Sequence, residues 1–205
     1  MEGSIEVIVG SMFSGKTTDL MHQAKRAVIA GHKICFIIHT RDTRYSRAAL
    51  NTSHDGLSMN VIRVASLETD PLETKDCGSV FVDEGHWFAG LKDFCLRQKR
   101  FGRHVKVAGL TSDFHGAPWP EIQALIPAHA DKITLKPGVC VFCQKDALYT
   151  RKIAGDMTQV VDVGGDDKYV PTCLMHLTEP VVVEPSVLIS RREAVQNVKL
   201  LIGNI

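Results

Sequence analysis

Gly10-Ser11-Met12-Phe13-Ser14-Gly15-Lys16-Thr17 has the spacing G-x-x-x-x-G-K-[ST]. Two glycines let the backbone curl until successive N–H groups and a helix N-terminus point at phosphate oxygens. Lys16 then reaches the β- and γ-phosphates of ATP, and Thr17 offers its hydroxyl to Mg²⁺. A second reactive group is Asp83-Glu84. Asp83 ends a short apolar run, where a phosphate-loop fold sets its second Mg²⁺-associated carboxylate. On an extended chain Glu84 points away from Asp83, so one carboxylate addresses the metal and the other serves the acceptor as general base. The plainer alternative for Glu84 is an acidic cap on the helix that follows. The third group is Cys140-Val141-Phe142-Cys143 with Cys173-Leu174-Met175-His176. Each x₂-spaced pair can present two ligands from one tight turn, and two such turns close a tetrahedron around Zn²⁺. Three thiolates and one imidazole leave no open coordination position, so the role is structural. Cys35 and Cys95 read as core thiols, and Cys77 carries no signal.

These groups need a scaffold, and the apolar runs describe one. Ile5 to Val9 reads as a strand leading into the phosphate loop, and Thr17 to Ala30 as a helix ending at Gly31. Further strands are expected at Lys33–His39, Val61–Val64, Ser79–Val82 and His104–Leu110. Trp119 to Ala130 has helical apolar spacing. Strands alternating with helices predict an α/β fold: a mainly parallel, phosphate-loop (RecA-like) sheet with flanking helices and ligands at the carboxyl ends of its strands. Thr40 to Asn60 is polar and without period, the kind of long connection that is usually functional. From about Lys136-Pro137-Gly138 the composition shifts to Gly, Asp, Lys and Thr, with alternating runs such as Gln159-Val160-Val161-Asp162-Val163. This predicts a small β-rich module that needs a metal to fold. The boundaries drawn are 1–136 for the nucleotide-binding domain, 137–178 for the zinc module and 179–205 for a tail, in which 191–202 could form a weak helix.

With 205 residues and a net charge of +1, the chain lacks the broad charge expected for nucleic-acid or membrane partners. No apolar run approaches the ~20 residues needed to cross a bilayer, and no apolar leader follows Met1. A cytoplasmic, reducing address is therefore expected, in keeping with six cysteines divided between metal and core. Asp83-Glu84-Gly85-His86 also fits the D-E-x-H box of nucleic-acid-dependent ATPases. Such motors need two sheet domains and a groove striped with basic and aromatic residues, and this chain shows neither.

Taken in order, these motifs resemble the thymidine kinases of the cytosolic, zinc-containing type. The likeness runs from about Gly3 to His176. It is carried by the phosphate loop, Asp42-Thr43-Arg44-Tyr45, His54-Asp55, Asp83-Glu84-Gly85 and Ala108-Gly109-Leu110-Thr111-Ser112-Asp113-Phe114. Tyr149-Thr150 and Val163-Gly164-Gly165-Asp166-Asp167-Lys168-Tyr169 complete it between the zinc pairs.

The resemblance implies transfer of the γ-phosphate of ATP to the 5′-hydroxyl of thymidine, with deoxyuridine as a second substrate. It also implies feedback inhibition by dTTP and a homotetramer. Glu84 would be the base, Lys16 and Arg44 would lie near the transferring phosphate, and Thr17 and Asp83 would lie at Mg²⁺. Phe114 would stack on the base, with Met12, Trp87, Leu110 and Thr150 around it. Val160, Val161, Asp162, Val163, Gly164 and Gly165 would contact the nucleoside, and the segment from Gly164 to Tyr169 would form the loop that closes over it and reads the base through its backbone, with Tyr169 supporting the closure. Zinc would be held by Cys140, Cys143, Cys173 and His176. The chain departs from the family at His86, where Gln is usual, at Trp87, where Phe is usual, and in the segment from His115 to Pro120.

Overall fold

Ile5, Val7 and Val9 of β1 (Ser4–Gly10) enter one core and Ile8 enters another, so the first strand must be covered on both faces. The computed structural model, which describes residues 2–42 and 60–178, places five more strands beside it. They are β2 (Ile34–His39), β3 (Asn60–Val64), β4 (Ser79–Val82), β5 (His104–Leu110) and β6 (Lys132–Leu135). All pair in parallel, in the order β3-β2-β4-β5-β1-β6. Every residue of β2 and β4 is buried, the continuous apolar run of a strand covered on both sides.

Helix α1 (Lys16–Ile29) buries Leu20 and Ala24 against Ile8, Phe36, Ile38 and Phe81 on one face. On the other face, α2 (Leu91–Arg100) and α3 (Pro120–Leu125) bring Leu91, Phe94, Ile122 and Leu125 against Val7, Val82 and Val107. Gly31, with φ of 82°, ends α1 in a Schellman turn: Gly31 N–H donates to Val28 C=O and His32 N–H to Ala27 C=O. Among the described residues no helix is long and apolar enough to cross a membrane.

Three expectations need correction. The helix expected to run from Trp119 to Ala130 holds only from Pro120 to Leu125, because Pro127 has no N–H to continue the ladder. Strand β6 was not anticipated. It has four residues, and Ile133 and Leu135 stay about half exposed on the sheet edge, so its apolar signal is weak. The alternating run Gln159 to Val163 is not a strand; the chain bends at Val160 and Val161, with Val160, Val161 and Val163 partly exposed.

Beyond Lys136 the strands leave the large sheet. β7 (Gly138–Val139) pairs with β8 (Asp146–Ala147), β9 (Tyr149–Lys152) pairs with β10 (Tyr169–Thr172), and α4 (Leu174–Thr178) follows. Arg44, Tyr45, His54, Asp55 and the stretch 179–205, with its expected helix at 191–202, lie outside the described residues.

Candidate active site

The phosphate loop joins β1 to α1 at the carboxyl edge of the sheet. Gly15 takes a left-handed φ of 80° at the start of α1, and Phe13 is also left-handed, φ 61°. A Cβ on Gly10 would stand 1.9 Å from the Lys136 carbonyl oxygen, so only glycine fits there. Lys16 is buried and curls onto its own loop, donating to the Ser11 carbonyl and reaching Ser14 Oγ at 3.5 Å. The loop is also braced from the far module. Ser11 Oγ donates to the Ala147 carbonyl (2.8 Å), and Met12 N–H donates to Thr150 Oγ1 (2.9 Å).

In the sheet order, β5 separates β1 from β4, yet the two ends meet across it. Thr17 Oγ1 lies 3.0 Å from both carboxylate oxygens of Asp83. A hydroxyl and a carboxylate side by side form an all-oxygen donor set of the kind that suits Mg²⁺. Glu84 is not extended as expected. It is left-handed (φ 51°, ψ 44°) at the head of the 3₁₀ turn Gly85–Trp87. Its carboxylate therefore does not point away from Asp83: acceptor atoms of Asp42, Asp83 and Glu84 all lie within 4.8 Å of one another.

Glu84 also faces a cavity of about 350 Å³. Its walls include Met12, Trp87, Leu110, Phe114, Thr150 and Tyr169, together with Val160, Asp162, Val163, Gly164 and Gly165 of the β9–β10 connection. Val161 is not on the lining. Sequence reasoning missed Asp42, His86, Ser112, Asp113, Trp119 and Asp167, which line it as well. Asp42, His86, Ser112, Asp113 and Asp167 sit in the motifs given above, whereas no pattern marked Trp119. His86 is packed between Trp87 and Trp119, with ring centroids 5.2 and 4.9 Å away. Its Nδ1 accepts the Leu110 N–H at 3.3 Å and lies 3.6 Å from Glu84 Oε2. A cavity of this size is at the small end of small-molecule sites, which run from about 300 to 1,000 Å³.

The loop over the cavity is tied to itself. Tyr169 Oη donates to the Asp162 carbonyl at 2.7 Å, and burial, then the Asp162 charge, pushes the phenol up to about 12. Lys152 and then Lys168 hold the Asp162 carboxyl below the usual range. Gly165 uses its N–H on Asp167 Oδ1 and its carbonyl on the Lys168 and Tyr169 N–H groups.

Cys140, Cys143, Cys173 and His176 converge, all four donor atoms within 4.8 Å of one another. Cys143 and Cys173 sulfurs are 3.8 Å apart, and His176 Nδ1 lies 3.6 Å from Cys140 Sγ and 3.1 Å from Cys173 Sγ. Tetrahedral zinc with ~2.3 Å Zn–S bonds requires sulfurs about 3.8 Å apart, so the cluster can hold Zn²⁺. Burial works to raise the Cys140 thiol, but hydrogen bonds from the backbone of Cys173, Cys143 and Phe142 outweigh it and bring the thiol down to about 6. Cys35, Cys77 and Cys95 are buried elsewhere; burial pushes the Cys35 thiol up to about 12.

The family model for thymidine kinase matches residues 3–177. Thymidine kinase of Myxoma virus is 33% identical over 171 residues, covering 83% of this chain and 94% of the viral one. The cytosolic thymidine kinase of Homo sapiens is 34% identical over 171 residues, 83% of this chain and 71% of its own. That of Amsacta moorei entomopoxvirus is 35% identical over 176 residues, 83% of this chain and 95% of its own. The matched span takes in the phosphate loop, Asp83-Glu84, the cavity and the Cys₃His cluster together, so the motor reading of Asp83-Glu84-Gly85-His86 is set aside. Matched along most of its length by the family model and by these relatives, the chain belongs to the thymidine kinase family.

Proposed function

We propose that the chain transfers the γ-phosphoryl group of ATP to the 5′-hydroxyl of thymidine, giving dTMP and ADP. One observation carries this reading: Glu84 stands between the Thr17–Asp83 pair and an aromatic-walled cavity sized for a nucleoside. The phosphates of ATP lie on the N–H groups of residues 10–17, with Lys16 swinging from the Ser11 carbonyl to the β- and γ-phosphates. Thr17 and Asp83 hold Mg²⁺, which neutralises charge on the phosphate oxygens when bound. The nucleoside lies against Phe114, Trp87 and Leu110 with its 5′-oxygen toward Glu84. Glu84 takes the hydroxyl proton as O5′ bonds to the γ-phosphorus and the bridging oxygen leaves with ADP. On the family resemblance, Arg44 would act on the transferring phosphate.

Base recognition falls to the backbone of Val160, Asp162, Val163 and Gly164, which line the cavity, since the Gly165 N–H is engaged within its own loop. The zinc module, 137–178, anchors that loop; 1–136 is the catalytic domain and 179–205 a tail. Zinc at Cys140, Cys143, Cys173 and His176 is structural. On the family resemblance the enzyme is a homotetramer inhibited by dTTP, and the human and bovine relatives are named cytosolic, which supports a cytoplasmic address.

The test is ATP consumption with thymidine, deoxyuridine and deoxycytidine, alongside single-stranded DNA and RNA. Thymidine should be best. Deoxyuridine, lacking one methyl worth about 1 kcal/mol, should fall within about tenfold. Deoxycytidine leaves two polar groups mispaired at about 1–3 kcal/mol each, and should be roughly 10²–10⁴-fold worse in kcat/KM. Deoxycytidine turnover equal to that with thymidine would rule out the backbone-read pocket, and polynucleotide-stimulated ATPase would rule out the kinase.

A further inference from the structure

Lys152 is a buried cation that none of the chemistry above uses. Its side chain has no exposed surface, and lysine is almost never buried to that degree without partners. Here the partners are unusual in where they come from. Lys152 projects from β9, yet its Nζ donates to the carbonyls of Asp156 and Gln159 and to Asp162 Oδ2 (2.8 Å), all in the β9–β10 connection. The same Nζ sits 5.2 Å from the centroid of Phe114, on the segment after β5, and 5.9 Å from that of Tyr169, on β10. On the outer side, Lys168 Nζ takes Asp162 Oδ1 at 2.7 Å.

An aliphatic side chain of equal length could fill this volume. It would leave two inward-facing carbonyls and Asp162 Oδ2 without their donor, with only Oδ1 still held by Lys168, and water would satisfy them only if the loop swung out. The cation therefore specifies one loop arrangement, the one in which Val160, Asp162 and Val163 close the cavity against Phe114. We propose that Lys152 is a positioning residue for the nucleoside: it holds the 156–163 loop and the Phe114 ring in the closed, binding-competent arrangement before thymidine arrives. The inference rests on reading this cavity as the nucleoside site.

Apparent affinity scales with the fraction of molecules already competent, so Lys152→Met should act on thymidine binding rather than on chemistry. If the closed fraction drops to between a tenth and a hundredth, thymidine Kd rises by about tenfold to a hundredfold. Saturating thymidine reselects the closed form, so kcat and the KM for ATP should stay within about threefold. Hydrogen exchange in residues 156–163 should quicken in the ligand-free variant and slow again with saturating thymidine. Asp162→Asn loosens the same clasp. If Lys152 acts through Asp162, the double variant should be little worse than the poorer single one, whereas independent packing losses would add.

The experiment measures thymidine Kd by calorimetry, loop exchange and bound zinc on wild type, Lys152→Met, Asp162→Asn and the double variant. Unchanged loop exchange with thymidine Kd within about threefold of wild type overturns the inference, as do equal losses in kcat and in the KM for ATP. Should Lys152→Met fail to retain zinc, Asp162→Asn carries the same two readouts. Wild-type protein that does not bind thymidine would defeat the functional reading instead, while the exchange comparison, which needs no ligand, would still answer for Lys152.

Discussion

Replacing Glu84 tests chemistry and strain at one position, and the two should move in opposite directions. Glu84→Gln keeps the volume of a side chain only 14% exposed and removes its ability to take a proton. Loss of a positioned base costs about 10²–10⁴ in kcat, or roughly 2.7–5.4 kcal/mol of barrier. Affinities for thymidine and ATP should change little, because the amide still fills the cavity wall. Glu84→Gly should be equally inactive but more stable. A left-handed φ costs an L-residue about 1–2 kcal/mol, against about 0.5–1 kcal/mol of extra chain freedom for glycine. A net gain near 1 kcal/mol raises the melting midpoint by about 2–4 °C in a chain of this length. The assays are steady-state kinetics, calorimetric binding and thermal unfolding of the purified variants. Glu84→Gln turning over within about threefold of wild type while binding both substrates would remove Glu84 as the base. A lower midpoint for Glu84→Gly would show that the left-handed turn holds no strain.

Three further outcomes follow from separate parts of the molecule. Elemental analysis should find one zinc per chain, and Cys173→Ser should lose it; because Ser11 and Met12 hang on Ala147 and Thr150, the KM for ATP should rise along with that for thymidine, and zinc-free protein of full activity would refute the bracing. His86→Gln should keep kcat/KM within about fivefold, since an amide oxygen can accept the Leu110 N–H as Nδ1 does; a larger fall would give the imidazole a role of its own. The Lys136 hydrogen bond, then that of Gln23, holds the Asp19 carboxyl below its usual range. That contribution is full above the ordinary carboxylate pKa of about 4 and is lost as pH falls through the depressed value, so Asp19→Asn should lower stability at pH 7 and flatten its decline in acid, as unfolding curves across pH would record.

The sequence reveals most where function forces rigid spacing. Gly10 to Thr17 could be placed to the residue because its two glycines, lysine and threonine each have a fixed job at a fixed spacing, and the two x₂ pairs likewise had to converge. The fully covered strands were legible for a different reason: a strand buried on both faces carries no polar interruption. What could not be read depends on contacts between distant segments. β6 is a strand because Glu6 to Val9 offers it an edge, not because Lys132 to Leu135 is strongly apolar. Alternation over Gln159 to Val163 looked like a strand, but the chain bends at Val160 and Val161 while Lys152 and Lys168 hold the Asp162 carboxylate. The direction of Glu84 depended on a left-handed turn that no composition announces in a non-glycine residue. Trp119 reaches the cavity only because α3 begins beside it.

The sheet order carries a cost during synthesis. β1 emerges early, but its two neighbours are β5 and β6, and the pairing of Ser4 with His104 closes a loop of about a hundred residues. At about 5–20 residues per second, a ribosome needs roughly 5–20 s to deliver β5 after β1. Throughout that interval Ile5, Val7, Ile8 and Val9 form an apolar strand with both edges bare, the kind of segment that pairs with other nascent chains. Growing chains of this enzyme should therefore engage hydrophobic-binding chaperones from their first strand until β5 emerges, and fragments ending before residue 104 should aggregate instead of folding.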